Sequence, residues 1–181
     1  MTIDADYPLF IPPAPLFKKK AEAWSSKEAK QYFDWVLNTQ PSRIKQMLGF
    51  LNENLPQDHR EWEKFLLELG ARYSEKLRLR QFSENRDGKV RLTNQGAALA
   101  GDVGLLGAQL LIHYPGSKVH WEQLNDPGAF GHNLPVLKGF VNGLYFDPIG
   151  GTIYEAKALL KGEKAVDLLH KAFVFWKNKM L

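Results

Sequence analysis

Between Asn94 and His113 the chain carries a single charged residue, Asp102, among four glycines and a long apolar majority. No other stretch constrains the fold as strongly. Thr93 supplies an N-cap, and Ala97, Gly101, Gly104 and Ala108 recur at i, i+4, i+7 and i+11, so the spacing predicts one helix with a narrow, small-residue face. Each glycine inside a helix costs about 1 kcal/mol relative to alanine, which demands a close-packing neighbour in return. The run barely reaches the roughly 18 apolar residues of a membrane span. Asp102, Gln109 and the internal glycines Gly101, Gly104 and Gly107 point instead to a buried core helix. A carboxylate buried alone is expensive, so Asp102 must meet an arginine, a histidine, backbone N–H groups or a ligand, or else sit on an exposed edge.

Amphipathic segments flank this helix. Ser25 and Glu28 form a capping box, followed by Ala29, Tyr32, Phe33, Val36 and Leu37 on one face, and the first helix is expected to end before Pro41. A second helix would hold Pro41 in its first turn, bury Ile44, Met47, Leu48 and Leu51, and stop before Pro56. A third begins at Asp58 and buries Trp62, Phe65, Leu66, Leu69 and Tyr73. Beyond Tyr73 the alternation in residues 77–80 and 89–92 around Asp87-Gly88 allows a hairpin; an extension of the helix to about residue 80 followed by a loop is preferred, because Phe82 breaks the alternation. Residues 119–124 and 135–141 read as two short strands. Asp147-Pro148 opens a fifth helix that Gly162 ends, and a sixth runs from Glu163 through Val166, Leu169, Phe173 and Trp176. The expected architecture is α+β: a mainly helical single domain over residues 21–181, with about six helices and a two-stranded ribbon. Residues 1–20, with Pro8, Pro12, Pro13 and Pro15, form an extended arm with apolar anchors that include Phe10 and Phe17.

Charge and composition narrow the function classes. The absence of cysteine removes disulfide scaffolds, zinc-cysteine modules and cysteine nucleophiles. With 24 Lys+Arg against 20 Asp+Glu the excess is modest, but seven of the basic groups fall in residues 72–91. On a helix, Arg72, Lys76 and Arg80 would align at i, i+4 and i+8 and could track phosphates, with Tyr73 and Phe82 interleaved; Glu75, Glu84 and Asp87 interrupt the stretch, so nucleic acid is the lesser reading. His113, His120 and His132 lie near Glu122 and Asp126 in sequence, without the spacing that marks a metal site, and no metal or other cofactor is expected. An enzyme would use Asp102 with these histidines. The N-terminus opens with Asp4, Asp6 and proline rather than a basic segment and an apolar run, so no secretion signal or membrane anchor is expected and the cytoplasm is the expected compartment.

Residues 92–154 resemble small bacterial proteins of the kind encoded as immunity proteins beside polymorphic toxins. Asp102, Gly104 and Gly107, then Pro115 and Trp121, then Asn133-Leu134-Pro135-Val136-Leu137-Lys138-Gly139-Phe140, and finally Phe146 and Pro148 carry the resemblance, joined by the upstream Ala29-Lys30-Gln31-Tyr32-Phe33-Asp34-Trp35 segment. The resemblance implies a non-enzymatic protein-interaction domain that binds and blocks a toxin. Asp102, Tyr114, Trp121, Phe130 and Tyr145 are the binding candidates on that reading. A sequence pI near 9.2 favours a toxin other than a nuclease, whose inhibitors tend to present acidic surfaces.

Overall fold

The computed structural model describes residues 6–14 and 16–181, the side chain of Phe17 apart. Residues 1–5, Pro15 and the proposed anchor Phe17 therefore contribute nothing to the account of the arm. Among the described residues, five α-helices and two two-stranded antiparallel sheets make up an α+β fold: α1 (Ser26–Phe50), α2 (Trp62–Leu77), β1 (Ser83–Arg86), β2 (Lys89–Leu92), α3 (Asn94–Ile112), β3 (His120–Gln123), β4 (Pro135–Lys138), α4 (Pro148–Leu160) and α5 (Leu168–Lys177).

The glycine-bearing segment is the central helix, α3. It packs against α1, α4 and α5, and Leu99, Leu105, Leu106 and Leu110 are fully buried. A Cβ on Gly104 would stand 2.0 Å from the Pro148 carbonyl oxygen, so only glycine admits the start of α4 at that crossing. By length and composition α3 could cross a membrane, yet 72% of its most apolar window is covered by the rest of the fold.

The two helices expected on either side of Pro41 are one continuous helix of 25 residues, so the described residues hold five α-helices rather than six. Pro41 cannot donate to the Leu37 carbonyl, a defect worth about 3 kcal/mol in an isolated helix. Neighbouring hydroxyls bind other carbonyls in that turn: the Thr39 hydroxyl donates to Trp35 and Val36, at 2.8 and 3.3 Å, and the Ser42 hydroxyl donates to Thr39 at 2.8 Å. Burial on both sides of the proline, from Ala29 to Val36 and from Arg43 to Met47, holds the two halves in line.

The expected extension of the third helix to residue 80 is also corrected. α2 stops at Leu77, and the chain folds into the β1–β2 hairpin, pairing Ser83 with Leu92 and Arg86 with Lys89. Asp87 and Gly88 both take left-handed φ, 55° and 71°, as a two-residue hairpin turn requires. The driving residue is Phe82: it is fully buried beside Tyr7 and Phe50, and the Thr93 hydroxyl and N–H close the base of the hairpin on the Gln81 and Phe82 carbonyls. Burying one phenylalanine contributes roughly 1.5–3 kcal/mol, enough to turn the chain at this point. The last helix begins at Leu168 rather than Glu163, because residues 163–167 form the turn that lays the Val166 carbonyl against Gly70 of α2.

The second sheet lies where the sequence placed a ribbon. β3 and β4 pair His120 with Lys138 and Gln123 with Pro135; β4 ends at Lys138, and the left-handed φ of 102° at Gly139, the next residue, brings it against Lys118. The chain then bridges to its own C-terminal end through Phe140 and Met180.

Candidate interaction surface

Asp102 is wholly buried and fully partnered. Tyr7 donates its hydroxyl to Oδ2 at 2.6 Å, Arg43 Nη2 donates to the same oxygen at 2.8 Å, and Arg43 Nε donates to Oδ1. The remaining guanidinium donors reach the Leu9 and Pro8 carbonyls, each at 3.1 Å, and the Phe10 ring lies 4.7 Å from the guanidinium carbon. One arginine of α1 thus ties the arm and the central helix together. Burial pushes the Asp102 carboxyl up from its ordinary range, and the Arg43 and Tyr7 donors oppose that shift.

The histidines do not join it. The His113 ring lies 2.8 Å from the Gln109 carbonyl, and His120 contacts the Lys118 carbonyl and Glu122. His132 has a buried, unpartnered Nδ1. Among the described residues no histidine hydrogen-bonds to Asp102, and no group of three or more His, Asp or Glu is placed to hold a metal ion.

The four aromatic candidates divide into two pairs. Tyr114 is half-buried in a ring cluster, 5.6 Å from His59 and 6.2 Å from Phe173, with the Lys177 ammonium 5.6 Å from its centroid. Trp121 is half-buried too; its indole N–H donates to Gln40, whose amide donates to the Leu105 carbonyl, so Trp121 docks the β3–β4 sheet on α1 and α3. Both serve packing. Phe130, by contrast, is 89% exposed in the loop between β3 and β4. Tyr145, half-buried, donates its hydroxyl to the Phe130 carbonyl at 3.0 Å.

That loop is held at both ends. Buried Asn133 donates its side-chain amide to the Ala21 and Trp24 carbonyls at 2.9 and 3.2 Å, and its N–H to Leu124 at 2.7 Å. The Leu134 N–H donates to Gly131 at 2.9 Å. Phe130 is therefore displayed on a hydrogen-bonded backbone, joined through its carbonyl to Tyr145, whose neighbour Leu144 is 40% exposed. Sequence reasoning singled out Phe130 and Tyr145 but missed Asn133 as the tether, which sits at φ 69° in the left-handed region that asparagine tolerates.

The basic stretch is not the helical face expected. Arg72 pairs with Glu53 at 2.9 Å and donates to the Asn52 carbonyl, and the Lys76 ammonium lies over the Phe50 ring at 5.1 Å. Arg80 falls beyond the end of α2. The helical row of Arg72, Lys76 and Arg80 therefore does not form, and the exposed cations gather around the hairpin instead. No family model, curated protein or solved structure matches the chain.

Proposed function

We propose that the chain is a non-enzymatic protein-interaction domain of the immunity type, which binds and blocks a bacterial toxin in the cytoplasm. Phe130 carries this reading: a large aromatic side chain 89% exposed, on a loop whose backbone is hydrogen-bonded at Phe130, Gly131 and Asn133. Rigid exposed aromatics are the side chains that most often dominate binding energy, because little ordering entropy is lost when they enter a pocket. Tyr145, bonded to the Phe130 carbonyl, widens the anchor. Asp102 supports the reading from the other side, since its carboxylate oxygens are occupied by Tyr7 and Arg43 and its work is to hold the arm in place.

The test is co-expression with the product of the neighbouring gene, followed by purification through a tag on either chain. A stable complex is expected with the wild-type chain. Phe130→Ala should weaken it by about 2 kcal/mol or more without lowering the melting temperature of the free domain. A chain that never co-purifies with that product, or a complex indifferent to Phe130, contradicts the proposal.

A further inference from the structure

The β1–β2 hairpin and the turn that leads into it from α2 leave their cations without partners. Among the described residues the side chains of Arg78, Arg80, Arg86, Lys89 and Arg91 make no ion pair and no hydrogen bond, whereas Arg43, Arg60, Arg72 and Lys177 elsewhere are all engaged. Arg86 and Lys89 stand directly opposite each other next to the turn. Like charges in cross-strand register destabilise a hairpin; the pair two positions along the ladder, Glu84 opposite Arg91, is of opposite sign but forms no ion pair among the described residues. Val90, 40% exposed, separates two grooves: one of about 650 Å³ shared with Arg78, Arg80 and Leu160, the other of about 420 Å³ shared with Arg91, Lys157 and Tyr154.

We infer that this hairpin is a second docking surface, one that takes an acidic segment of a partner protein carrying apolar side chains among its carboxylates. Charge complementarity sets the sign of the occupant, and the apolar floor sets its kind. Val90 and Leu160 offer nothing to a phosphate backbone but would bury an aliphatic side chain. Glu84 and Glu163 line the same grooves and would repel a continuous row of phosphates, while carboxylates spaced along a peptide can bypass them. Tyr154, 70% exposed, is the single large exposed aromatic bordering the grooves, too few for a base-stacking platform. The base of the hairpin is fixed by buried Phe82 and by Gly96, where a Cβ would stand 2.0 Å from the Phe82 carbonyl oxygen, so the surface is preorganised.

The surface deepens the protein-binding reading, and the two can fail separately. Fluorescence anisotropy of the full chain is measured with three labelled probes: a short peptide of repeating glutamate and leucine, polyglutamate, and a generic oligonucleotide. The glutamate–leucine peptide should bind tightest. Arg78→Glu with Arg80→Glu, and separately Val90→Asp, should each weaken it about tenfold or more, while Phe130→Ala leaves it unchanged. Arg78, Arg80 and Val90 are exposed on the hairpin side and Phe130 is exposed on its own loop, and unchanged circular dichroism confirms the fold of each variant. Equal binding of polyglutamate, tighter binding of the oligonucleotide, no binding of any probe, or indifference to both hairpin variants overturns the inference. Loss of peptide binding with Phe130→Ala alone would assign the acidic segment to the other surface and overturn it too.

Discussion

Arg43 and Asp102, 59 residues apart in sequence, form a buried two-bond ion pair that clamps the N-terminal arm onto the central helix. Removing one member leaves the other charged and buried without its partner, and such breaks cost about 3–5 kcal/mol. Arg43→Met and Asp102→Leu should each lower stability by that order in urea denaturation. The double variant should recover a substantial part of the loss, because it leaves no uncompensated charge. Full additivity of the two single losses would show that the pair is not coupled.

Gly104 and Gly107 lie one turn apart on α3 and should respond oppositely to alanine. Gly104→Ala drives a methyl into the Pro148 carbonyl, whereas an added Cβ on Gly107 meets nothing within 4 Å and faces a small cavity of about 50 Å³ beside Leu66, Leu111 and Phe173. The first should destabilise by at least 1–3 kcal/mol, in the range of core overpacking. The second should stabilise by about 1 kcal/mol through helix propensity alone. Thermal melts of the two variants decide it.

The capping box of α1 predicts an acid-side loss of stability. Glu28 accepts from Lys19 and from the Ser25 backbone and hydroxyl, which lowers its carboxyl from 4.5 to about 2. Since the folded value is the lower one, the contribution is complete above the unfolded value and disappears as pH falls from about 4.5 towards 2. Glu28→Gln should flatten the stability profile in that window and leave its shape above pH 5 unchanged. An identical acid slope in the variant would assign the loss to other groups.

These outcomes also mark what the sequence could disclose. The capping box, the apolar stripe of α2 and the strand pair at residues 120–138 are written in neighbouring residues and appear where expected. Pro41 misled because its local defect is masked by nearby hydroxyl bonds and by burial along both halves of the helix, which no proline rule contains. The hairpin, which Asp87-Gly88 and the alternation allow as the lesser reading, is favoured for a similar reason: it is decided by the distant rings of Tyr7 and Phe50 around Phe82. Asp102 announced that it needed a partner. It could not announce which, since Arg43 and Tyr7 come to it only through the packing of α1 and the arm on α3. The exposure of Phe130 is likewise a property of the tethered loop, not of the residues beside it in sequence.

Hydrogen–deuterium exchange of the domain, free and bound to the toxin partner proposed for it, tests the central claim most directly. The account predicts added protection over residues 125–134 and 141–147, the segments that carry Phe130, Leu144 and Tyr145. Protection confined to other surfaces, with these two segments exchanging as in the free chain, would contradict it.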